Sequence, residues 1–460
     1  MEKKYKLGLV WLRRDYRLHD HVALNQAVRI CNKVIICFVF DTNILSKLNK
    51  NDQRISFIID SLREIDTELN QHGTRLIVRH GKPEEKIPEI IHNYNVDGLF
   101  YNRDYEPYAQ TRDEHIHQNI KIPYHTYKDS VIFEKDEVLS KTGGYYKVFT
   151  PYKNQWLSKL NHEVMKSEPL NNHHFLHIEE DSSIHENRWF DLLGFSITQS
   201  FLPGGRSHGL KQLSEFKSKI NTYHKDRDFP DLNRTSNLSP YIRFGCISIR
   251  EMVMFALHHP SSGSDIWLSE LIWRDFYQMI VATHPNCHVE SVKPAYDLIE
   301  WEGQDAHYLA WCEGKTGFPI VDAAMRQLNT TGLMHNRCRM IVASFLCKTL
   351  LINWRKGEAY FAEKLLDFDF ASNNGGWGWA SSSGCDAQPY FRIFNPTSQS
   401  EKFDPNGSYI RTYCPELAHL SNKEIHQPPK TLNYPEPIVD YKKNRQRALN
   451  MYSVVKSVKI

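Results

Sequence analysis

No stretch of this 460-residue chain is apolar for long enough to cross a bilayer, which argues for a water-soluble protein. Its start, Met1-Glu2-Lys3-Lys4-Tyr5, runs straight into an apolar segment without the order of a secretory leader. None of its nine cysteines forms a CxxC pair, and Cys37, Cys338 and Cys347 sit among apolar neighbours. These features predict reduced core thiols in a cytoplasmic protein rather than a disulfide or zinc framework, and no metal site is expected. A large excess of either charge is missing too, with 57 basic against 54 acidic residues. A formal net charge of +3 permits nucleic-acid binding without requiring it, because a local basic surface matters more than the total. Behind the first strand-like segment there is no GxGxxG, only Val10-Trp11-Leu12-Arg13-Arg14-Asp15, so a dinucleotide in the usual Rossmann crevice is unsupported.

What is present is ample hydrophobic material, 41% of residues, in a chain long enough for more than one core. Residues 5–12, 34–40, 75–80 and 97–102 read as short buried strands, and Ile55 to Gln71 has helical apolar spacing. This alternation predicts an α/β domain over 4–133, an open parallel, Rossmann-like sheet with helices on both faces. Residues 134–200 are expected to link it to an all-α domain over 201–460. The linker contains a polar tract with Asn171, Asn172, His173, His174, His177 and Glu179 to Ser183, read as solvated. Helices are predicted over 210–220, 248–258, 266–284, 320–328, 335–354 and 360–366. Gly205-Arg206-Ser207-His208-Gly209 fits GxSxG, but it follows Phe201-Leu202-Pro203-Gly204 instead of a strand, so no nucleophile elbow is expected.

Several constellations carry chemistry. Thr235-Ser236-Asn237-Leu238-Ser239 is a hydroxyl-rich turn entering a helical region, suited to a phosphate or to ordinary capping. Glu270, Trp273 and Arg274 share a helix face, as do Asn336, Arg339 and Met340, with Arg337 turned away. Asp367 and Asp369 flank Phe368 just before Asn373, and Arg339 is the candidate partner for one acid if these are buried. In Asn373-Asn374-Gly375-Gly376-Trp377-Gly378-Trp379 the two indoles point to opposite sides of the backbone, so one can face a buried cofactor and the other an outer cavity. A glycine turn with two core tryptophans is the plainer account.

Together with Trp11 to Asp20, Tyr105-Glu106-Pro107, Gly317 to Arg326, Met334-His335-Asn336-Arg337 and Tyr390 to Pro396, these runs resemble the photolyase/cryptochrome family, most closely its bacterial class I cyclobutane pyrimidine dimer photolyases. The resemblance implies a helical domain holding FAD, reduced and anionic in the active form, and light-dependent repair of DNA containing pyrimidine dimers. By position it assigns Tyr223, Thr235, Ser236, Asn237, Leu238, Ser239, Arg339, Asp367, Phe368, Asp369 and Asn373 to the flavin. Glu270, Asn336, Met340, Trp273 and Trp379 would meet the lesion. Arg227, Arg274, Tyr277, Arg337, Arg392 and Gln399 would join Glu270, Trp273 and Asn336 on the DNA, and Trp301, Trp354 and Trp377 would pass electrons to oxidised flavin. A cryptochrome-type blue-light receptor and a (6-4) photolyase are the competing readings. Asn373 matches the photolyases, where plant cryptochromes have Asp and animal ones Cys, and (6-4) enzymes have His in place of Asn336 and Met340. No signalling tail is expected after Ile460. Folate-binding relatives carry an Asn-Glu pair after the Tyr-Glu element, whereas Tyr108-Ala109 follow here. A second antenna chromophore is expected, with methenyltetrahydrofolate, a deazaflavin or another flavin all open. A monomer, nucleoid-associated when bound to DNA, completes the expectation.

Overall fold

The computed structural model describes residues 3–163, 165, 174–178, 184, 188–196, 199–430 and 433–456. Asn171, Asn172, His173 and Glu179 to Ser183 lie outside the described residues. The chain forms two compact units. One comprises the residues up to Leu139 with Lys153–Ser218 and Ser236–Gln278, and the other comprises Ser140–Tyr152, Lys219–Thr235 and the residues from Met279 on.

The first unit is built on five parallel strands in the order β3-β2-β1-β4-β5, where β1 is Tyr5–Leu12, β2 Cys31–Asp41, β3 Ile77–Gly81, β4 Gly98–Asn102 and β5 Tyr124–Tyr127. Unbroken apolar runs in β1 and β2 are what a sheet covered on both faces requires. Leu9, Trp11, Ile35, Cys37 and Val39 pack against Ile87, Ile90 and Ile116 from the helices Pro83–Tyr94 and Pro107–Asn119. Successive side chains alternate across a strand, so Val10, Leu12 and Phe38 are buried on the opposite face. β5, with the polar sequence YHTY and an exposed Tyr124, escapes a search for apolar runs because it is an edge strand.

Where a nucleotide-binding loop would follow β1, Arg13 fills the space. Its guanidinium lies over the rings of Trp11 and Tyr101, 5.0 and 4.6 Å from their centroids, and pairs with Asp113 at 2.6 Å. Ser207 sits in helix Arg206–Phe216 and donates to the Glu64 carboxylate at 2.9 Å, the role of a structural hydroxyl. His174 and His177 meet the carbonyls of Asn32 and Gly73, each through Nδ1. A buried ion cluster ties helix Ile249–His258 to the sheet segments: Asp129 pairs with Arg17 and Arg250, each at 2.7 Å, and Arg250 also pairs with Asp20 at 2.9 Å.

The second unit is helical. The helix expected over 335–354 is two, Asn336–Lys348 and Trp354–Lys364. Asn353 caps the second by accepting from the Arg355 amide, and Leu351 turns the chain between them at φ +57°. The glycine-rich Asn373–Trp379 run is no turn. It lies within helix Phe370–Ser381, where Gly378 lets the backbone of Gly384 approach and donate to its carbonyl at 2.9 Å. Asp322 explains the Gly317–Arg326 motif. Its carboxylate accepts from Thr316, from the Gly317 amide and from the Tyr434 hydroxyl. All nine cysteines are free and buried, and no described helix is long and apolar enough to cross a membrane.

Asp129 is held well below the usual carboxylate range: burial opposes its charge, but Arg17 and Arg250 outweigh it. Its contribution to stability is therefore complete above its unfolded value, about 4, and is lost as pH falls through the lower folded value. Asp129→Asn should cost about 3 kcal/mol in denaturant unfolding at neutral pH, since it removes the carboxylate paired with buried Arg17 and leaves Arg250 with Asp20 alone, and the loss should shrink in acid.

Candidate active site

Helix Asn336–Lys348 opens with His335 as its N-cap, Nδ1 accepting from the Arg337 amide at 3.2 Å. Burial, with Arg337, Arg339 and Arg227 adding to it against the opposing Asp228, pushes this imidazole down to about 4. It is therefore neutral at physiological pH, and its buried Nε2 has no partner among the described residues. The next turn divides its side chains as the helical spacing predicts. Exposed Asn336 lies beside Met340, Nδ2 to Sδ 3.9 Å, whereas Arg337 turns to Asp228 at 2.8 Å with its guanidinium over Phe403. Arg339 donates through Nη2 to both oxygens of Asp367, at 3.1 and 2.8 Å, and through Nε to the Met334 carbonyl. The expected pairing of the two is thus present, with the acid buried and the guanidinium partly exposed.

Two residues on, buried Asp369 caps helix Phe370–Ser381 by accepting from the Ser372 amide at 2.9 Å, while Phe368 packs against the hydrophobic core. The cap sets the first turn, and the first turn places Asn373. The Asn373 side-chain nitrogen donates to the Glu358 carbonyl at 3.0 Å. That commits the nitrogen and leaves the amide oxygen as the atom able to meet an N–H donor. Asn374 donates to the Glu358 carboxylate at 2.8 Å and to the Cys287 carbonyl at 3.1 Å. Glu358 escaped the sequence reading because it stands in an ordinary-looking polar stretch, Arg355-Lys356-Gly357-Glu358. Burial pushes it up to about 7.

Trp377 is buried, edge-on to Phe361 at 5.0 Å and to Trp311 at 6.2 Å. A Cβ on Gly357 would come within 2.1 Å of the Trp377 indole, so the glycine makes room for it. Trp354 belongs to the same core, and Trp301 and Trp379 pack on it half-buried. Arg227 lies over the buried Tyr223 ring at 5.4 Å. Arg392 is exposed, whereas Gln399 keeps its Oε1 buried.

In the first unit, Glu270, Trp273, Arg274 and Tyr277 ride on helix Ser262–Thr283, with the Trp273 ring 5.4 Å from that of Tyr277. Arg274 donates to the Ser130 carbonyl. Asp275, also overlooked in sequence, is buried beneath it, accepts from the amides of Ile132 and Phe133 and from the Trp156 indole, and is pushed up to about 6 by burial. Thr235 closes one unit and Ser236 opens a segment of the other. Asn237 has φ +53°, and Leu238 leads into the short helix Ser239–Arg243 without a side-chain cap, the Ser236 hydroxyl accepting instead from the Leu238 amide.

A buried carboxylate paired with a partly exposed guanidinium, a second buried acid and an amide oxygen with its own nitrogen already committed form a set suited to a polar heteroaromatic ring. Comparison with known proteins agrees. Residues 8–171 match the DNA photolyase domain and residues 267–454 the FAD binding domain of DNA photolyase. The chain is 38% identical to the deoxyribodipyrimidine photo-lyase of Vibrio cholerae, over 98% of this chain and 100% of the relative, and 38% identical to that of Escherichia coli, over 98% and 99%. Among solved structures it resembles a class III photolyase from Agrobacterium tumefaciens, with TM-score 0.89 and 32% identity over 100% and 99% of the two chains. A photolyase from Sulfolobus tokodaii with two FAD molecules matches at TM-score 0.85 and 34% identity over 97% and 99%. The chain belongs to the DNA photolyase family and carries that family's FAD-binding domain.

Glu358 supplies a test of the site's electrostatics. A carboxyl whose folded value lies near 7, above its unfolded value, stabilises the fold below about 4.5 and loses that contribution as pH rises through 7. Glu358→Gln should therefore raise stability above neutrality by on the order of 1–3 kcal/mol and flatten the pH dependence of the melting temperature.

Proposed function

We propose that this protein is a deoxyribodipyrimidine photo-lyase that splits cyclobutane pyrimidine dimers in DNA under blue light. The observation that carries the reading is Asn373. With its nitrogen fixed on the Glu358 carbonyl, its oxygen is the atom that would accept from the N5–H of a reduced flavin. Bound FAD, reduced and anionic, would supply the electron that opens the cyclobutane ring and take it back afterwards. Asp367, paired with Arg339, and Asp369 would meet its ring system with Phe368 between them, and Tyr223 with Thr235 to Ser239 would hold the phosphates and ribityl chain.

The remaining site residues act on the substrate. Arg227, Arg337, Arg392 and Gln399 contact the DNA strand, positioning it through phosphates, while the linked pyrimidines leave the stack. Arg274 and Tyr277 support the same surface. Trp273 and Trp379 wall the extruded pair, Asn336 and Met340 line its pocket, and Glu270 hydrogen-bonds the base edges and stabilises the developing radical anion. Trp301, Trp354 and Trp377 carry electrons inward when the flavin is oxidised. Asn373 argues against a cryptochrome, and Asn336 with Met340 against a (6-4) enzyme. A second chromophore, when bound, would feed energy to the flavin, and the Sulfolobus relative with two FAD molecules favours another flavin in that role. The protein works as a monomer in the cytoplasm, on nucleoid DNA.

Illumination of the reduced holoprotein with a thymine-dimer oligonucleotide should restore the monomeric bases, and intact dimers after illumination would refute the activity. Glu270→Ala should lower repair per absorbed photon by more than it weakens binding; an unchanged yield would remove Glu270 from the chemistry. Trp377→Phe should abolish photoreduction of oxidised flavin while sparing repair by pre-reduced enzyme, and persistent photoreduction would exclude Trp377 from the electron path.

A further inference from the structure

Helix Asn336–Lys348 ends on a lysine that none of the foregoing uses. Lys348 is 1% exposed. Among the described residues it forms no ion pair, although a buried ammonium ordinarily needs one. Its Nζ instead donates to the Ser382 hydroxyl at 3.0 Å and to the Arg392 carbonyl at 3.4 Å, and it lies 5.9 Å from the centroid of the Tyr452 ring. The C-terminal end of its own helix adds a favourable dipole for a cation.

Those two acceptors bracket the loop between helix Phe370–Ser381, which bears Trp379, and helix Pro396–Phe403, which bears Gln399. The loop has little secondary structure of its own. Ser382 is in the left-handed region at φ +75°, Gln388 donates its amide to the Trp379 carbonyl at 3.2 Å, and at the far end Tyr390 stacks on Tyr452 while Phe391 and Arg392 stand exposed. Lys293 gives the near end a second hold, its amide donating to the Ser383 carbonyl at 2.9 Å and its Nζ approaching the Ser382 carbonyl at 3.4 Å. At the far end Lys456 lies over the Tyr390 ring, 5.5 Å from its centroid, while the carbonyl of Arg392 accepts from Lys348, which ties it to the core.

We infer that Lys348 is a positioning residue for DNA binding: one buried ammonium staples both ends of the 382–392 loop and so presents Phe391 and Arg392 to the DNA in a fixed arrangement. The inference rests on the proposed function for the identity of the DNA ligand, but the staple itself is a property of the protein alone. A plain packing role would be served by any side chain of this length. The staple needs donors, and the ammonium has three where the neutral amine has two.

Protonation separates the two roles. Burial, opposed only weakly by Cys347, pushes Lys348 down to about 8. The groups facing it are Ser382 and the Arg392 backbone from the loop, Tyr452 from helix Tyr441–Tyr452, and Cys347 beside it. Burial pushes the Cys347 thiol up to about 12 and the Tyr452 phenol well above its ordinary value, so neither titrates in that window. Lys293, on the other side of Ser382, is lowered by burial and is left in place in every variant.

The test uses the FAD-loaded full chain and a short duplex carrying one thymine dimer, with dissociation constants measured from neutrality to above about 8. Lys348→Met keeps the length and removes the donors. Near neutrality it should weaken binding by about tenfold, the equivalent of losing a charged hydrogen bond. Repair per photon of the bound complex should be unchanged, and hydrogen exchange at residues 384–393 should quicken in the free protein. The ratio of variant to wild-type dissociation constants should shrink as pH rises through about 8. In an Arg392→Ala background, Lys348→Met should add little. Ser382→Ala, which removes one acceptor and leaves the lysine, should move binding and loop exchange in the same direction by less, and it decides the matter if Lys348→Met does not fold. Binding within twofold of wild type with unaltered loop exchange in either variant that folds would overturn the inference. Wild-type protein with no preference for dimer-containing over undamaged duplex would instead refute the proposed function, and the loop exchange would still judge the staple.

Discussion

The ion pair between Arg339 and Asp367 is the constraint on which the helical unit's site depends. A carboxylate that is almost wholly buried is tolerable only with a cationic partner held in place, and the planar guanidinium supplies one by meeting both oxygens through Nη2 while its Nε is fixed on the Met334 carbonyl. The pair joins the first turn of helix Asn336–Lys348 to the segment that enters helix Phe370–Ser381. Asp369, two residues further, then caps that helix, and the cap determines where Asn373 and Trp377 fall. Loss of the guanidinium would release the acid, and with it the register of a helix whose own composition, with three glycines among twelve residues, gives it little independent tendency to form.

Two buried carboxylates are held in committed sets. Asp322 gathers four donors around the Gly317–Arg326 motif, and Asp129 takes two guanidinium groups in the sheet-containing unit. Each set has every acceptor satisfied by a donor of fixed direction, which is what lets charge stand inside a core. Lys348 differs in leaning on a hydroxyl and a carbonyl, and His335 differs in keeping a neutral ring nitrogen without a partner among the described residues. Such groups lie beside residues assigned to ligand binding, where an exchangeable partner is useful.

Much of this was legible in the sequence, for identifiable reasons. β1 was readable to the residue because both of its faces are buried, and Arg339 was readable as partner for one of the two acids because buried acids need cations, the choice of Asp367 resting on the family resemblance. Local signals failed where they conflict with packing. The apolar run through Leu350, Leu351 and Ile352 hides the break between two helices, which is set by the Asn353 cap and by one left-handed leucine. The glycines of Asn373–Trp379 suggest a turn, yet tertiary contacts keep them helical. Glu358, Asp275 and Lys348 were missed because their roles arise from neighbours distant in sequence; only Lys348, alone and charged within an apolar stretch, carries a signal that could have been noticed.

The central claim, that the Arg339–Asp367 pair shapes a flavin site in the helical unit, is tested most directly by the flavin absorption of the purified protein beside that of Arg339→Lys, which keeps the charge and loses the planar fork. Wild-type protein should carry bound FAD, and the variant, with its helical circular dichroism intact, should release it on gel filtration. A wild-type protein that stays colourless after reconstitution with FAD, or a variant that holds the flavin as firmly as wild type, would contradict the account.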